Sequence, residues 1–559
     1  MKGKSCKVVS ELTERCHNLI IFFRNMWFLN EREEPMENIT ENGLSLLKKG
    51  QKGILCAIFS RMGLILLLLI IQVLFLLSLF QWFNDLLPHI LGGTALFSVI
   101  MVGYLINSDI DATAKITWLI VIMQMPVFGG LLFWYTQSDL GHRVLKKRIH
   151  HLIMETYDSI PQEKGILDRL KEENSEIASL AQYIHRSGCY PVFAHTDVTY
   201  FPIGEKKFEE MLIQLEKAKD FIFLEYFIVD EGLMWGKVLE ILAKKVQEGV
   251  EVCVMYDGTC EFSTLPHDYP KRLKKLGIQC KMFAPVTPFV STHYNYRDHR
   301  KILVIDGHTA FTGGVNLADE YINHVEKFGH WKDAAIMLKG EAVKSFTLMF
   351  LQMWNIDEKE TVFQKYLDVP VKESEPAAGY VIPYGDCPLD HDKVGERVYM
   401  DLLNHARKYV HIMSPYLILD GELETALKFA AEKGTDVILI LPGIPDKFIP
   451  YALAMTHYES LIESGVKIYE YTPGFVHAKV FVSDDCKAVV GTINLDYRSL
   501  YHHFECAAYL YQTDCIVEIE QDFNETLKQC RRVTKETIKE ESIKRKLAGG
   551  IMKVIAPLL

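Results

Sequence analysis

Three long apolar runs without a charged residue mark the first quarter of the chain. They cover residues 62–82, 88–106 and 116–135. About 20 apolar residues in a helix cross the roughly 30 Å hydrocarbon core of a bilayer. The first run begins too far inside the chain to be a cleaved signal peptide. The pattern therefore predicts a membrane region of transmembrane helices over 53–136, preceded by a cytosolic or interfacial segment over 1–52.

The flanks of this region bear on its orientation. A shorter apolar stretch, 17–29, cannot span a bilayer and fits either an interfacial helix or a helix packed on the protein. Basic residues precede the first run and follow the third. If all three runs span the membrane, these two clusters lie on opposite sides of it. The positive-inside rule, which places basic clusters in the cytoplasm, then gives no consistent orientation. We expect a multi-pass protein of the cell membrane with its soluble part in the cytoplasm.

After residue 136 the pattern becomes that of a soluble protein. Residues 137–180 are polar and predict a connecting helical segment. Short apolar runs such as 221–229 and 249–256 then alternate with stretches of helical periodicity such as 233–247. This alternation is typical of an α/β fold in which helices flank a mixed sheet.

The α/β pattern occurs twice. Residues 457–473 align with 269–285 without a gap, and both segments end at a proline-containing turn. The repeat of about 180 residues is too long for a solenoid. We therefore predict two duplicated lobes, over 181–370 and 371–559, packed about a pseudo-two-fold axis. The basic, amphipathic tail at 543–559 fits either contact with a membrane surface or packing on the second lobe.

Composition narrows the functional classes. The formal net charge of −11 argues against a nucleic-acid-binding protein, since such proteins are usually basic. The twelve cysteines form no C-x-x-C pair and no cluster with zinc-ligand spacing. We expect reduced, buried cysteines, no metal site and no nucleic-acid partner.

The repeat carries one polar motif in both copies. HRKILVID (299–306) and HAKVFVSD (477–484) each place a histidine and a lysine two residues apart on a predicted strand. Side chains at i and i+2 of a strand point to the same face. An imidazole beside a fixed positive charge suits phosphoryl transfer, in which anionic oxygens are held while a nucleophile attacks. A structural repeat alone would not need this polar pair twice.

A two-fold axis would bring His299 and His477 together. One imidazole could attack phosphorus, and the other could protonate the leaving alcohol and later deprotonate the acceptor. We expect phosphate contacts from Lys301 and Lys479. The other candidates lie in the segments that follow each copy, and they either bind the phosphate or support the groups that do. They are Asn316 and Asn494, each in a turn, and Asp333 and Glu505, acids able to fix an imidazole tautomer. Asp306 and Asp484, each at a strand end, would brace a loop rather than touch phosphate.

The duplicated HxKxxxxD motif followed by G-x-x-N resembles the phospholipase D superfamily. Phrases such as GGVNLADEY, WKDAAIML and YTPGFVHAKVFVSDD, with the ending APLL, are similar to bacterial cardiolipin synthases over about residues 110–559. The resemblance implies two phospholipase D-like lobes. It also implies a phosphatidyltransferase that joins two phosphatidylglycerols into cardiolipin and releases glycerol, without metal or nucleotide cofactor, in a membrane of anionic lipid. By the same resemblance the active-site residues are His299, Lys301, Asp306, His477, Lys479 and Asp484.

Two features depart from the family pattern. Three apolar runs occur where two are usual, and His503 stands where an asparagine commonly precedes Phe-Glu. The alternatives are a membrane-bound phospholipase D hydrolase that uses water as acceptor, another phosphatidyltransferase of the superfamily, a nucleic-acid phosphodiesterase, or a non-catalytic membrane scaffold. Acidic charge disfavours the third, and two intact His-Lys pairs disfavour the last. The motifs do not decide which histidine attacks; we favour His299.

Overall fold

The computed structural model describes residues 94–108, 110–125, 129–130, 132–134, 143–285, 296–370, 377–390 and 392–556, together with Ser78. The predicted segment 1–52 and, apart from Ser78, the first apolar run lie outside these residues. The later two runs are described in part, as helices α1 (Thr94–Ile106) and α2 (Ala112–Gln124). Neither these nor any other helix in the described ranges has the length and apolarity needed to cross a membrane.

Helices α1 and α2 form a small apolar unit. The Asp111 carboxylate caps α2 by accepting the N–H groups of Thr113 and Ala114. Leu105, Trp118, Ile122 and Phe133 pack together, with the rings of Trp118 and Phe133 edge to face at 5.2 Å. These contacts hold the two helices against each other.

The connecting segment consists of α3 (Arg143–Glu155), α4 (Lys164–Glu173) and α5 (Ser175–Gly188). It therefore continues beyond the predicted boundary at residue 180. Helix α5 begins at the cap Asn174, whose side chain accepts two backbone N–H groups, and ends at Cys189 in the left-handed conformation.

The first lobe is a mixed seven-stranded sheet with helices on its faces. The strands follow the order β1-β9-β7-β6-β2-β3-β4, in which β2, β3 and β4 are parallel. In chain order the elements are β1 (Thr196–Phe201), α6 (Gly204–Glu216), β2 (Phe221–Tyr226), α7 (Leu233–Gln247), β3 (Glu251–Asp257), α8 (Cys260–Ser263), α9 (Tyr269–Lys275), β4 (Gln279–Phe283), β5 (Arg297–Asp298), β6 (Lys301–Ile305), β7 (Thr309–Gly313), a 3₁₀ turn (Asp319–Ile322), β8 (His330–Lys332), β9 (Ala335–Gly340), α10 (Val343–Trp354) and α11 (Gln364–Leu367).

The second lobe repeats this topology. Its sheet has the order β10-β17-β16-β15-β11-β12-β13, with β18 added at the edge. The elements are β10 (Tyr380–Asp386), α12 (Val394–His405), β11 (Tyr409–Met413), α13 (Gly421–Glu432), β12 (Asp436–Pro442), α14 (Phe448–Glu463), β13 (Lys467–Tyr471), β14 (Gly474–Val476), β15 (Val480–Ser483), β16 (Lys487–Gly491), α15 (Tyr497–Tyr501), β17 (His503–Tyr511), α16 (Cys515–Leu527), β18 (Cys530–Arg532), α17 (Lys535–Glu540) and α18 (Ile543–Ile555). The predicted α/β duplication is thus present in the seven strands that the two sheet orders share.

Each lobe contributes a short strand that pairs with a strand of the other lobe. β5 pairs in parallel with the start of β17, and β14 pairs in parallel with β8. The exchange is reciprocal, as a two-fold relation between like lobes requires. One continuous apolar core then runs through both sheets. Since β5 and β14 lead directly into the two motif strands, the same exchange positions the motifs.

Asp306 and Asp484 close the far ends of the motif strands. Both lie in the left-handed region, with φ of 51° and 54°, where short polar residues are tolerated. Their carboxylates accept backbone N–H groups at the entry of β2 and of β11, respectively. The donors are Lys219, Asp220 and Phe221 for Asp306 (each 2.8 Å) and Arg407, Lys408 and Tyr409 for Asp484 (2.8, 2.7 and 3.1 Å). These aspartates therefore hold adjacent strands in register.

We predict that Asp306→Ala destabilises the fold by about 3 kcal/mol, because it leaves three N–H groups without a charged acceptor. The measurement is the thermal unfolding midpoint of the purified protein. The matched control is Asp485→Ala, since the Asp485 pair with Lys408 is mostly exposed and should contribute little. Equal midpoints for the two variants would contradict the bracing role.

Candidate active site

Both motif histidines are fixed by the backbone of the opposite lobe. The N–H of His299 donates to the Phe504 carbonyl at 2.9 Å, and the N–H of His477 donates to the Lys332 carbonyl at 2.7 Å. Each bond continues the strand pairing described above. Each histidine therefore directly follows a short strand that pairs with the opposite lobe.

The acids are exchanged in the same way. His299 Nδ1 lies 2.9 Å from both carboxylate oxygens of Glu505, and His477 Nδ1 lies 2.7 Å from Asp333 Oδ2. Each acid follows the motif copy of one lobe but contacts the histidine of the other. Both acids are fully buried. The structure therefore brings His299, Glu505, His477 and Asp333 together as two mixed half-sites.

This pairing fixes the state of the imidazoles. An ionised carboxylate only accepts hydrogen bonds, so Nδ1 of each histidine carries the proton and Nε2 keeps its lone pair. Burial lowers the pKa of His299 to about 3, against the opposing effect of Glu505. Burial, reinforced by Lys479, lowers the pKa of His477 to about 4. Both side chains are thus neutral at pH 7 and able to act as nucleophile or base.

The acids stay ionised in spite of their burial. Burial acts to raise the pKa of Glu505, but His299 and His503 outweigh it and hold the pKa well below its usual range. For Asp333 burial is likewise outweighed by His477 and Lys479, and the pKa is lowered. A buried carboxylate that keeps its charge stabilises the imidazolium that forms when the histidine takes a proton.

The two lysines supply positive charge at the same place. Lys301 Nζ donates to the carbonyl of His299 at 2.5 Å, and Lys479 Nζ donates to that of His477. Burial lowers the pKa of Lys301 to about 8 and that of Lys479 to about 7. The ammonium of Lys301 also acts on the pKa of His477, across the lobe boundary. The half-sites therefore form one electrostatic unit.

The two asparagines occupy different environments. Asn316 accepts the N–H of Ile228 at 3.0 Å and donates to the Tyr321 hydroxyl at 2.8 Å. Asn494 is buried, and its Oδ1 has no hydrogen-bond partner among the residues that the structure describes. Asn316 thus belongs to the framework of the site, whereas Asn494 has an acceptor oxygen without a partner in the described ranges.

Aromatic rings surround the histidines, which the sequence analysis did not identify. The Phe227 ring lies edge to face on His299 at 4.9 Å. Tyr321, Trp331 and Phe475 lie 5.3, 5.4 and 6.0 Å from His477. These apolar walls account for the burial that keeps both imidazoles neutral. Their positions beside the repeated motifs were visible in the sequence, but their orientation was not.

The half-sites differ in what supports the acid. The Thr492 hydroxyl donates to Glu505 Oε2, and His503 Nδ1 lies 3.5 Å from Oε1. The equivalent of Thr492 is Gly314, where a Cβ would lie 2.0 Å from Asp333 Oδ1. A side chain at 314 would therefore displace that acid. Thr492 was missed as a functional residue, although comparing GGVN with GTIN exposes the difference. His503 was noted only as a departure from the family pattern, and comparing WKD with HFE places it two residues before the acid.

Two groups in the described ranges have spacing that could hold a cation. They are His299, His503 and Glu505, and Glu396, Asp420 and Glu422. A cation in the first group would occupy His299 Nδ1 beside the Lys301 ammonium. The second group already contains the hydrogen bond from the Tyr501 hydroxyl to Asp420, at 2.6 Å. We assign neither group as a metal centre.

A duplicated α/β fold with paired His-Lys motifs and exchanged acids defines a two-lobed phospholipase D-like protein. The family model described as "Cardiolipin synthase, PLD-like domain" matches residues 211–354 and 399–527. The chain is 33% identical to a cardiolipin synthase of a Geobacillus species, over 84% of this chain and 94% of that protein. It is 32% identical to the cardiolipin synthase of Alkalihalophilus pseudofirmus, over 83% and 92%.

One further relative and one solved structure are also similar to this chain. An uncharacterized protein of Streptococcus mutans is 62% identical over 82% of this chain and 99% of its own length. The phosphatidylserine synthase of Haemophilus influenzae has the same fold, with a TM-score of 0.51 at 15% identity, over 69% of this chain and 98% of that one. The chain belongs to the cardiolipin synthase family of the phospholipase D superfamily, and it is a phosphatidyltransferase.

We predict that Glu505→Gln lowers kcat by at least about 100-fold, because the amide can neither fix the His299 tautomer nor stabilise its imidazolium. Asp333→Asn should do the same for His477. The measurement is turnover of phospholipid by purified protein, with the unfolding midpoint as a check of the fold. The control is Glu520→Gln, which changes a carboxylate paired with His411 outside the motifs. Near-normal turnover in Glu505→Gln would refute the assignment.

Proposed function

We propose that the protein is a cardiolipin synthase that transfers a phosphatidyl group from one phosphatidylglycerol to another. The reciprocal pairing of His299 with Glu505 and of His477 with Asp333 carries this proposal. Together with Lys301 and Lys479, this pairing gives a site with two neutral imidazoles and two ammonium groups between apolar walls. Such a site suits a two-step exchange at a phosphodiester.

In the first step, Nε2 of His299 attacks the phosphorus of one phosphatidylglycerol. The bond from phosphorus to the headgroup glycerol oxygen breaks, and the protonated His477 gives that oxygen its proton. Glycerol leaves, and the phosphatidyl group stays on His299 as a phosphohistidine. Lys301 and Lys479 neutralise charge on the phosphate oxygens, and the Asn494 amide can donate a further hydrogen bond there.

In the second step, the headgroup hydroxyl of another phosphatidylglycerol enters. Neutral His477 removes its proton while the oxygen attacks phosphorus, and the bond from phosphorus to His299 breaks. Cardiolipin leaves, and His477 is again protonated for the next turnover. One phosphodiester replaces another, so the cycle needs no nucleotide. A negative phosphate beside His477 raises its pKa and so favours the protonated form that the first step uses.

The choice of His299 as nucleophile follows from the two acids. Glu505 is shared among His299, His503 and Thr492, whereas Asp333 has His477 as its only imidazole contact in the described ranges. The histidine that must carry a full positive charge benefits most from a carboxylate that no second imidazole shares. We therefore assign acid–base chemistry to His477 and place Asp306 and Asp484 as positioning residues. We also propose attachment to the cell membrane through the apolar runs, with the lobes in the cytoplasm.

The products test this proposal. With phosphatidylglycerol vesicles and chelator present, purified protein should form cardiolipin and glycerol in equal amounts, as measured by lipid mass spectrometry and a glycerol assay. Phosphatidic acid as the sole lipid product would instead identify a hydrolase. The same assay should show losses of at least about 1000-fold for His299→Ala and His477→Ala.

A substrate with an activated leaving group separates the two histidines. A nitrophenyl phosphodiester lipid needs no general acid, so His477→Ala should still release nitrophenol in a first burst, and His299→Ala should not. The opposite pattern would exchange the two roles. His405→Ala is the control, since its partner Asp401 lies outside the site.

We predict that kcat/KM falls as pH rises through about 7 to 8. The pKa of Lys479 is lowered to about 7 and that of Lys301 to about 8, so both ammonium groups lose their charge there. An arginine stays charged well above this range. Lys479→Arg should therefore move the alkaline limb upward, whatever its effect on the maximum rate. An unchanged limb would show that another group causes the decline.

A further inference from the structure

The last helix, α18, leaves an apolar stripe uncovered. Its residues Ile543, Leu547, Ile551 and Val554 recur at helical spacing on one face, and the first three are 83%, 64% and 58% exposed. At 3.6 residues per turn, Lys544 lies on one side of the stripe, and Lys546 and Lys553 lie on the other. We call this stripe, with its three flanking lysines, the C-terminal face.

The opposite side of α18 is packed firmly on lobe two. A Cβ at Gly549 would lie 2.3 Å from the Ala452 carbonyl, so the helix approaches α14 as closely as glycine permits. The Arg545 guanidinium lies over the Tyr451 ring at 5.1 Å. Ala556 packs in a cluster with Leu453 and Tyr497. The helix is thus held in place, and the exposure of its outer side is a property of the folded protein.

The apolar surface continues beyond α18. The Thr117 hydroxyl on α2 donates to the Val554 carbonyl at 2.6 Å, and Ile116, Ile120 and Met123 of α2 are exposed. This bond joins the C-terminal face to α2, a helix of the third apolar run in the predicted membrane region. The surface so far includes exposed apolar residues from two sequence-distant helices, which is more area than a single exposed side chain provides.

The same surface extends toward the catalytic strand. Phe448 and Ile449, at the start of α14, are exposed, and so is Ile444 in the loop before it. The N–H of Ile444 donates to the Gly474 carbonyl at 3.1 Å, at the first residue of β14, which leads to His477. The Phe475 ring lies 6.0 Å from His477. A lipid lying on this surface is therefore near the walls of the site.

We infer that the C-terminal face rests on the surface of an anionic phospholipid bilayer and holds the catalytic mouth against it. The apolar stripe would enter the acyl boundary while the lysines meet lipid phosphates. The chain carries a net charge of −11, so three lysines around one stripe are a local feature rather than general composition. Packing on lobe two, the alternative for the tail, is fulfilled by the other side of the same helix. The identity of the lipid as phosphatidylglycerol rests on the proposed function; the contact itself does not.

The contact is tested directly with the full chain in proteoliposomes. Leu547→Cys and Ile551→Cys are labelled with an environment-sensitive fluorophore, and the unsubstituted protein, labelled in parallel, gives the background. Nitroxides on the lipid headgroup region should quench both probes at least about threefold more than a probe at Val517→Cys. Val517 is similarly exposed, at 57%, but lies on α16 beside Glu518. Equal quenching at 517 and 547 would overturn the inference, as would shielding at 547 that depends on protein concentration and so indicates a second copy.

Turnover tests the consequence. Leu547→Glu with Ile551→Glu should lower the rate on long-chain phosphatidylglycerol in vesicles about tenfold and leave the rate on monomeric short-chain phosphatidylglycerol unchanged. Val517→Glu should change neither rate. Equal loss on both substrates, or no loss on either, would contradict the inference. If the protein releases phosphatidic acid instead of cardiolipin, the proposed function fails, but quenching and the ratio of vesicle to monomer rates still test the C-terminal face.

Discussion

The exchange of strands between the lobes is the constraint on which the site depends. β5 and β14 each pair with a strand of the opposite lobe. The residue that follows β5 is His299, and the residue that follows β14 is His477. The carboxylate on each imidazole comes from the same borrowed strand region. Neither lobe alone can therefore fix the tautomer of its own histidine. The duplication supplies two copies of the motif, but only their reciprocal packing supplies a working pair.

The reciprocity is close without being complete. Lobe one offers a short acid, Asp333, with Gly314 beside it, and lobe two offers a longer acid, Glu505, with Thr492 beside it. The longer side chain reaches past the hydroxyl, and the shorter one needs the space that glycine leaves. Each combination places a carboxylate on an Nδ1 atom. The two solutions differ in how many imidazoles face the negative charge, two at Glu505 and one at Asp333, which gives two chemically similar histidines different capacities to hold a proton.

Much of this was accessible from the sequence because it follows local periodicity. The alternation of strands and helices, the repeat and the motif residues could be predicted, since period-two and period-3.6 patterns reflect burial of one face. The predicted helix 233–247 has those bounds in the structure. The partner of each acid could not be predicted, since the chain order places Glu505 after His477 while the fold places it on His299. Asp306 shows the opposite case: its position at a strand end already indicated bracing.

Burial has two effects at this site that work together. Phe227, Tyr321, Trp331 and Phe475 remove water from the imidazoles, which keeps them neutral and nucleophilic. The same desolvation brings the lysines close to losing their charge, so an approaching phosphate is the group best able to restore it. Before an anion binds, the site is therefore only weakly cationic, and its lysines gain charge when the anion arrives. In the proposed mechanism, specificity for a phosphodiester comes from the coupling of the two imidazoles and two lysines, and the proposed membrane contact selects for lipid.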